Sequence, residues 1–316
     1  MDISKNLQTD EDVCRIVEGA LGRGAVSVSP LTAGQCNALY AVTLSDGERC
    51  VLKVAPAGEV RLRRGEAWLM KTEIAAMGIA SRLPGVPVPR VLFADDSRTV
   101  CSAPYFIMEY APGHPAADDR QNWTPGEKDA WYRRFGEMIR RISAAENDSF
   151  GIVASGRTFG TLYDFVGDLL GMILRDLTDF RVDTGAEAEA VLTRYPRDRA
   201  AFDGVKVPRL VHYDFWENNV MIEGERITGL IDWERALWGD PLMEDRFRSY
   251  SLCPALLEGY GVPGLTEEER RRCLWYDLIM DGCLMADVFV RQYADDGQYR
   301  WARRLFLETW EKLGRG

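Results

Sequence analysis

The stretch that most restricts the fold is Leu210-Val211-His212-Tyr213-Asp214-Phe215-Trp216-Glu217-Asn218-Asn219, together with the segment running on from it to Asp232. Val220-Met221-Ile222, the polar Glu223-Gly224-Glu225 and the apolar run from 227 to 231 make up that segment. Two short apolar runs around a Gly-containing turn read as a β-hairpin. Such a hairpin returns Asp232 to the same edge as Asn219, with His212 and Asp214 on the loop that feeds it. Short polar side chains also cap turns at such places. The second carboxylate on the far strand, and the turn Gly239-Asp240-Pro241 beyond it, mark the group as more than local capping.

Composition sets the frame around this hairpin. A chain of 316 residues, 46% hydrophobic and 28% charged, can bury one large core or two moderate ones, which suits a two-lobed globular protein. The seven cysteines are odd in number and form no C-x-x-C pair, so they read as reduced thiols of a cytoplasmic protein and not as a disulfide or zinc framework. No signal-type apolar run opens the chain, and the apolar segment 274–290 is interrupted by Asp277, Asp281 and Asp287, so no membrane span is expected. A net charge of −10 repels nucleic acid and attracts cations. The basic runs at 61–64 and 270–272 sit beside acidic residues and read as solvated helix faces.

From the start, Val13, Ile16, Val17 and Leu21 have helical spacing, and glycines at 22 and 24 end that helix. Residues 26–31, 38–44 and 49–55 read as a β-meander, with Gly34 in the first connection. Lys53 lies in the third strand among core-type residues, so its ammonium must snorkel out or meet a charge. The helix expected over 65–82 offers Glu66 and Glu73, of which Glu66, near the helix start, should be dipole-stabilised and solvated. Strands at 91–94 and 105–109 complete a small lobe, and Met108-Glu109-Tyr110-Ala111-Pro112-Gly113 marks its boundary. Thr124-Pro125-Gly126-Glu127 starts a long helix, and helices succeed it at 159–180, 187–194 and 266–293. The expected class is α+β: a small antiparallel β-sheet lobe with one main helix over 1–108, and a larger, mostly helical lobe over 109–316.

One carboxylate to take a hydroxyl proton, with oxygen ligands for magnesium on phosphates, is what phosphoryl transfer asks of a protein. Asp214 suits the first role, Asn219 and Asp232 the second. With only His114 and His212 in the chain, no Ser-His-Asp machine or multi-histidine zinc site is readily built.

Residues 211–244 resemble the aminoglycoside phosphotransferase family, whose bilobal protein-kinase-like fold also serves choline and fructosamine kinases. The resemblance runs from about residue 31 to about 289. It implies that Gly34 and Asn37 belong to the nucleotide loop and that Lys53 contacts the α- and β-phosphates. Spacing to Val86-Pro87-Val88-Pro89 favours Glu73 over Glu66 as the carboxylate holding that lysine. The backbone at Glu109, Tyr110 and Ala111 would bind adenine. His212 would be structural, bonded to the backbone around Asp232. Asp240 and Glu244 match an acidic pair that comes after the metal aspartate, and read equally as N-caps of a helix over 243–250. The family carries a small residue where this chain has Tyr213. The short segment between Asp232 and Asp240 leaves no place for a peptide-docking activation loop.

The expected activity is Mg²⁺-assisted transfer of the γ-phosphate of ATP or GTP to a hydroxyl of a small, amine-bearing molecule. A metabolic kinase of choline, fructosamine or homoserine type is the alternative within enzymes. A pseudokinase module is disfavoured because every catalytic position is filled. Glu217, Asp277 and Asp281 are the candidate acceptor contacts. Asp277 and Asp281 share one side of a mostly covered helix, so each is either paired with an arginine or lines an acceptor pocket.

Overall fold

The computed structural model describes residues 5–31, 37–56 and 62–315. Helix α1 (Asp10–Leu21) starts where the Thr9 side chain accepts the Asp12 N–H and stops at Gly22, whose φ of 65° suits glycine. Strands β1 (Ala25–Leu31), β2 (Ala38–Leu44), β3 (Arg49–Val54), β4 (Val91–Asp95) and β5 (Tyr105–Glu109) form an antiparallel five-stranded sheet in the order β1-β2-β3-β5-β4. Between β3 and β4 lies α2 (Leu69–Ala80). The sheet is covered on both faces: Val13, Ile16 and Val17 of α1 pack on Val42, Leu52 and Ile107, and Ala76 and Met77 of α2 join Val51, Phe106 and Met108. Because side chains alternate along a strand, Lys53 shares the face of Val51 and points toward α2.

The helix expected from residue 65 begins later. Residues Arg64–Glu66 form a separate 3₁₀ turn. Glu66 is buried rather than solvated, bonded to Arg63 at 2.9 Å and to Arg291 at 2.6 Å, so two arginines and not a helix dipole offset its charge.

Past β5 the chain forms β6 (His114–Pro115), α3 (Ala116–Arg120), α4 (Pro125–Ile142), β7 (Gly151–Ile152), α5 (Leu162–Asp179) and α6 (Ala188–Arg194). Strands β8 (Arg209–Val211), β9 (Val220–Glu223), β10 (Arg226–Leu230) and β11 (Leu237–Gly239) come next, then α7 (Pro254–Tyr260), α8 (Glu267–Val290) and α9 (Gly297–Gly314). The β9–β10 pair is the hairpin read from the sequence, and β6 adds to it as a third strand. At that junction Gly113 has φ 94°, and a β-carbon there would stand 2.0 Å from the Ile222 carbonyl oxygen. Only glycine lets the crossing segment lie this close to the hairpin.

The larger core does not break near residue 108: α2, β3 and β5 share one apolar cluster with α4, α5, α8 and β8. The helix expected over 243–250 is absent. Two 3₁₀ turns, Pro241–Met243 and Asp245–Phe247, stand there instead, because Glu244 spends its carboxylate elsewhere. Asp240 does cap the first of them, through the Leu242 N–H. Among the described residues, no helix is long and apolar enough to cross a membrane.

Candidate active site

Strand β8 delivers the chain into a tight loop. The carboxylate of Glu244 accepts the backbone N–H of His212 at 2.6 Å and of Tyr213 at 2.9 Å. Tyr213 is thereby held at φ 71°, in the left-handed region that a side chain makes costly. His212 reaches the Ile231 carbonyl through Nε2 at 3.0 Å and packs at a tilt against Trp233, ring centres 4.4 Å apart. Burial pushes its pKa down to about 4, although the Ile231 carbonyl opposes the shift, so the ring is neutral and Nε2–H is the donor.

The hairpin then closes the site. The Ile231 N–H donates to the Asn219 carbonyl at 3.0 Å, which sets Asn219 beside Asp232. Asn219 Nδ2 donates to the Asp214 carbonyl at 2.8 Å and lies 3.2 Å from Asp214 Oδ2. With its nitrogen so engaged, the amide oxygen is the atom Asn219 has left to offer. Asp214 is half-buried, and burial pushes its carboxyl up to about 7; Arg235 works against that shift, and Asp232 and Asp245 add to it.

Lys53 brings the sheet to this edge. Its Nζ stands 2.6 Å from Glu73 Oε2, 2.8 Å from Asp232 Oδ1 and 3.3 Å from Glu234 Oε2. Burial alone would lower the ammonium's pKa, but Asp232, Glu73 and Glu234 together hold it well above the usual lysine range. Burial raises Glu73 against the pull of Lys53, whereas for Asp232 the lysine prevails over burial and holds it below the ordinary range. Glu73, Asp232 and Glu234 each offer an oxygen within 4.8 Å of the others. Three carboxyl groups around one ammonium make an all-oxygen set, which fits a hard divalent cation such as Mg²⁺.

The chain belongs to a family of phosphotransferases. Residues 27–245 match the model of the phosphotransferase enzyme family. Acyl-CoA dehydrogenase family member 10 of Mus musculus is 23% identical over 296 residues, covering 86% of this chain and 26% of that protein. The chain thus spans about a quarter of that relative. Hygromycin-B 4-O-kinase of Escherichia coli is 48% identical over 44 residues, 14% of this chain and 13% of that one. Among solved structures, aminoglycoside phosphotransferase APH(4)-Ia (D198A) with ADP and hygromycin B superposes with a TM-score of 0.64 at 19% identity, covering 96% of this chain and 99% of that one. A candidate fructosamine-3-kinase from Thermobifida fusca YX-ER1 gives 0.67 at 21% identity, covering 94% and 98%. The fold is therefore the bilobal kinase-like α+β arrangement.

Of the residues singled out in the sequence, the fold gathers Asn37, Lys53, Glu73, His212, Asp214, Asn219, Asp232 and Glu244 about one edge. Gly34 lies outside the described residues. Asn37 donates its amide to Glu234 at 2.8 Å. Glu109 turns its side chain to Arg90 at 2.8 Å and Tyr110 lies under Arg49 at 3.6 Å, while their backbone N–H groups donate to the Arg90 and Arg49 carbonyls at 2.9 and 3.3 Å. Asp240 stands further back, bonded to Arg272 and to Tyr276, both at 2.9 Å.

The three candidate acceptor contacts are all buried. Glu217 is fully buried and bound to Arg246 at 3.1 Å and to Tyr132 at 3.0 Å, which ties the loop to α4. Asp277 is also buried, 3.8 Å from Arg248 and 3.3 Å from the Ser249 N–H, which is the arginine-paired alternative. Asp281 is 2% exposed, and burial, with Asp277 beside it, pushes its carboxyl up to about 8. Sequence reasoning passes over Glu234 and Arg235. Their signal is the polar Glu-Arg pair directly after Asp232-Trp233, which the 3₁₀ turn Trp233–Arg235 folds back toward Lys53 and Asp214.

Proposed function

We propose that this chain transfers the γ-phosphate of ATP to a hydroxyl of a small molecule, with Mg²⁺. The observation that carries the reading is the convergence of Lys53, Asp232, Asn219 and Asp214, drawn from β3 and from both ends of the β9–β10 hairpin, onto one edge. Asp214 would accept the proton of the attacking hydroxyl; a carboxyl raised to about 7 by burial is better matched to that task than an ordinary one. Asp232 and the Asn219 amide oxygen would hold the metal, which when bound neutralises charge on the phosphates. Lys53, steadied by Glu73, would meet the α- and β-phosphates, with the backbone of Glu109 to Ala111 against the base. Residues 1–108 would carry the nucleotide and residues 109–316 the catalytic loop and acceptor, in the cytoplasm.

An amine-bearing acceptor fits the charge near the reacting hydroxyl. Asp232, Asp245 and Glu234 all act on Asp214, with Arg235 as the opposing charge, and the chain as a whole carries −10. Aminoglycosides, peptide antibiotics, macrolides, choline and ketoamines should be offered with Mg·ATP and ADP release monitored. Turnover with an amino alcohol or amino sugar, abolished in Asp214→Asn, supports the reading. Acceptor-independent ADP release across the whole panel, equal in parent and Asp214→Asn, would sink it.

A further inference from the structure

Tyr213 stands directly before Asp214, and its side chain is more deeply placed than its neighbour's. The residue is 8% exposed, yet its hydroxyl makes no hydrogen bond among the described residues; only its N–H is engaged, by Glu244. The ring is covered while its hydroxyl stays accessible, and the backbone at φ 71° adds strain of about 1–3 kcal/mol beside the proposed base.

The ring forms one wall of a cavity of about 70 Å³. Leu169, Met172 and Ile173 of α5 and Ile279 and Cys283 of α8 line it as well, together with the charged Arg63, Glu66 and Asp176. At roughly 10–15 Å³ for each water, this is room for a handful of waters or for the hydrocarbon part of a small molecule. Glu234 and Arg235, which also act on Asp214, line the same cavity, so it is continuous with the catalytic loop. Behind the ring the Arg248 guanidinium sits 5.6 Å from its centroid and is itself tied to the Met243 carbonyl at 2.7 Å, which fixes that wall.

Resting on the phosphotransfer reading above, we infer that this cavity receives the hydrocarbon body of the acceptor, and that Tyr213 sets its permitted size and hydrogen-bonds its polar end. The acceptor class is then a compact alcohol with a short apolar body, not a bulky polyhydroxylated ring system. The α5 and α8 side chains bind by apolar burial. The Tyr213 hydroxyl supplies a directional contact, which orients the reacting hydroxyl toward Asp214.

A homologous series of ω-amino alcohols provides the probes, with equilibrium binding measured directly in the presence of Mg·ADP. Affinity should rise about fourfold for each methylene added, until the cavity is full, and then fall. Tyr213→Gly, which relieves the left-handed backbone and so should fold, moves the optimum to longer chains. Cys283→Leu fills the cavity from the opposite wall and moves it to shorter ones. Tyr213→Phe keeps the optimum length and weakens every member by about two- to tenfold, the loss of one hydrogen bond. A flat series in the parent, or variants whose profiles superimpose on it, overturns the inference. Parent-type binding with no ATP-dependent phosphorylation of the bound alcohols would defeat the phosphotransfer reading alone and leave the cavity assignment standing.

Discussion

The two oxygens of Glu244 are shared between consecutive backbone N–H groups, with Tyr213 the second of them at 2.9 Å. This carboxylate, from the segment after β11, is what fixes the left-handed turn on which Asp214 is carried. Glu244→Ala would leave both donors buried without partners, at about 1–3 kcal/mol each. The expected result is a lower melting temperature and at least a tenfold fall in kcat with a nearly unchanged KM for ATP. Unaltered turnover in a folded Glu244→Ala protein would show that the turn holds itself.

Asp214→Asn would remove the proposed proton acceptor and leave the phosphate contacts proposed for Lys53 in place. Turnover should fall about 10²–10⁴-fold, and calorimetric affinity for Mg·ATP should stay within about twofold. Wild-type-like kcat with any acceptor would remove Asp214 from the role assigned to it.

These positions differ in how legible they are in the unfolded chain. The hairpin and its flanking Asn219 and Asp232 are readable because two apolar runs around Glu223-Gly224-Glu225 fix which residues return to one edge. Lys53 is readable because a lone ammonium among core residues of β3 must find a charge, and Glu73 supplies it. Glu66 reads wrongly as solvated because its burial comes with Arg291, 225 residues away, and no local pattern reports such a pairing. The burial of Glu217 is not legible either, since Tyr132 and Arg246 reach it across 85 and 29 residues. The segment after Asp240 looks helical from its apolar residues. The tertiary demand of His212 and Tyr213 for the Glu244 carboxylate prevails over that propensity.

Metal binding should separate Asp232 from Asn219. Asp232→Ala would remove the charged ligand proposed for the metal and also free Lys53 to lean on Glu73 and Glu234, so Mg·ATP affinity should fall by more than tenfold. Asn219→Ala removes a neutral oxygen and the bond that steadies Asp214, so it should weaken Mg·ATP less and lower kcat more. Isothermal titration with and without Mg²⁺ checks the order; equal Mg·ATP affinity in Asp232→Ala and parent would dismiss the metal role.

Gly113→Ala tests the crossing between the sheet and the hairpin. The new methyl would stand 2.0 Å from the Ile222 carbonyl at a φ of 94°, so backbone must move, and the loss should exceed about 1 kcal/mol. Gly126→Ala, where nothing lies within 4 Å of the added carbon, is the control and should be neutral or slightly stabilising. Denaturant midpoints measure both, and equal midpoints would mean the crossing is slack.

Asp281 predicts how stability depends on pH. Its carboxyl is pushed up to about 8, first by burial and then by Asp277, with Glu308 adding and Arg248 opposing. A carboxyl raised in the folded state favours the fold while it is protonated. Its contribution is therefore complete below the ordinary pKa of about 3.8 and is lost as pH rises through about 8. Asp281→Asn keeps the shape and removes the titration. Compared with the parent, it should show similar stability near pH 4, a flatter profile above it, and an advantage on the order of a few kcal/mol near pH 9. Urea denaturation across that range is the measurement. Parallel profiles for the two proteins would mean that Asp281 is ionised in the fold at neutral pH, stabilised by a cation that reaches it, and the buried-acid account would fall.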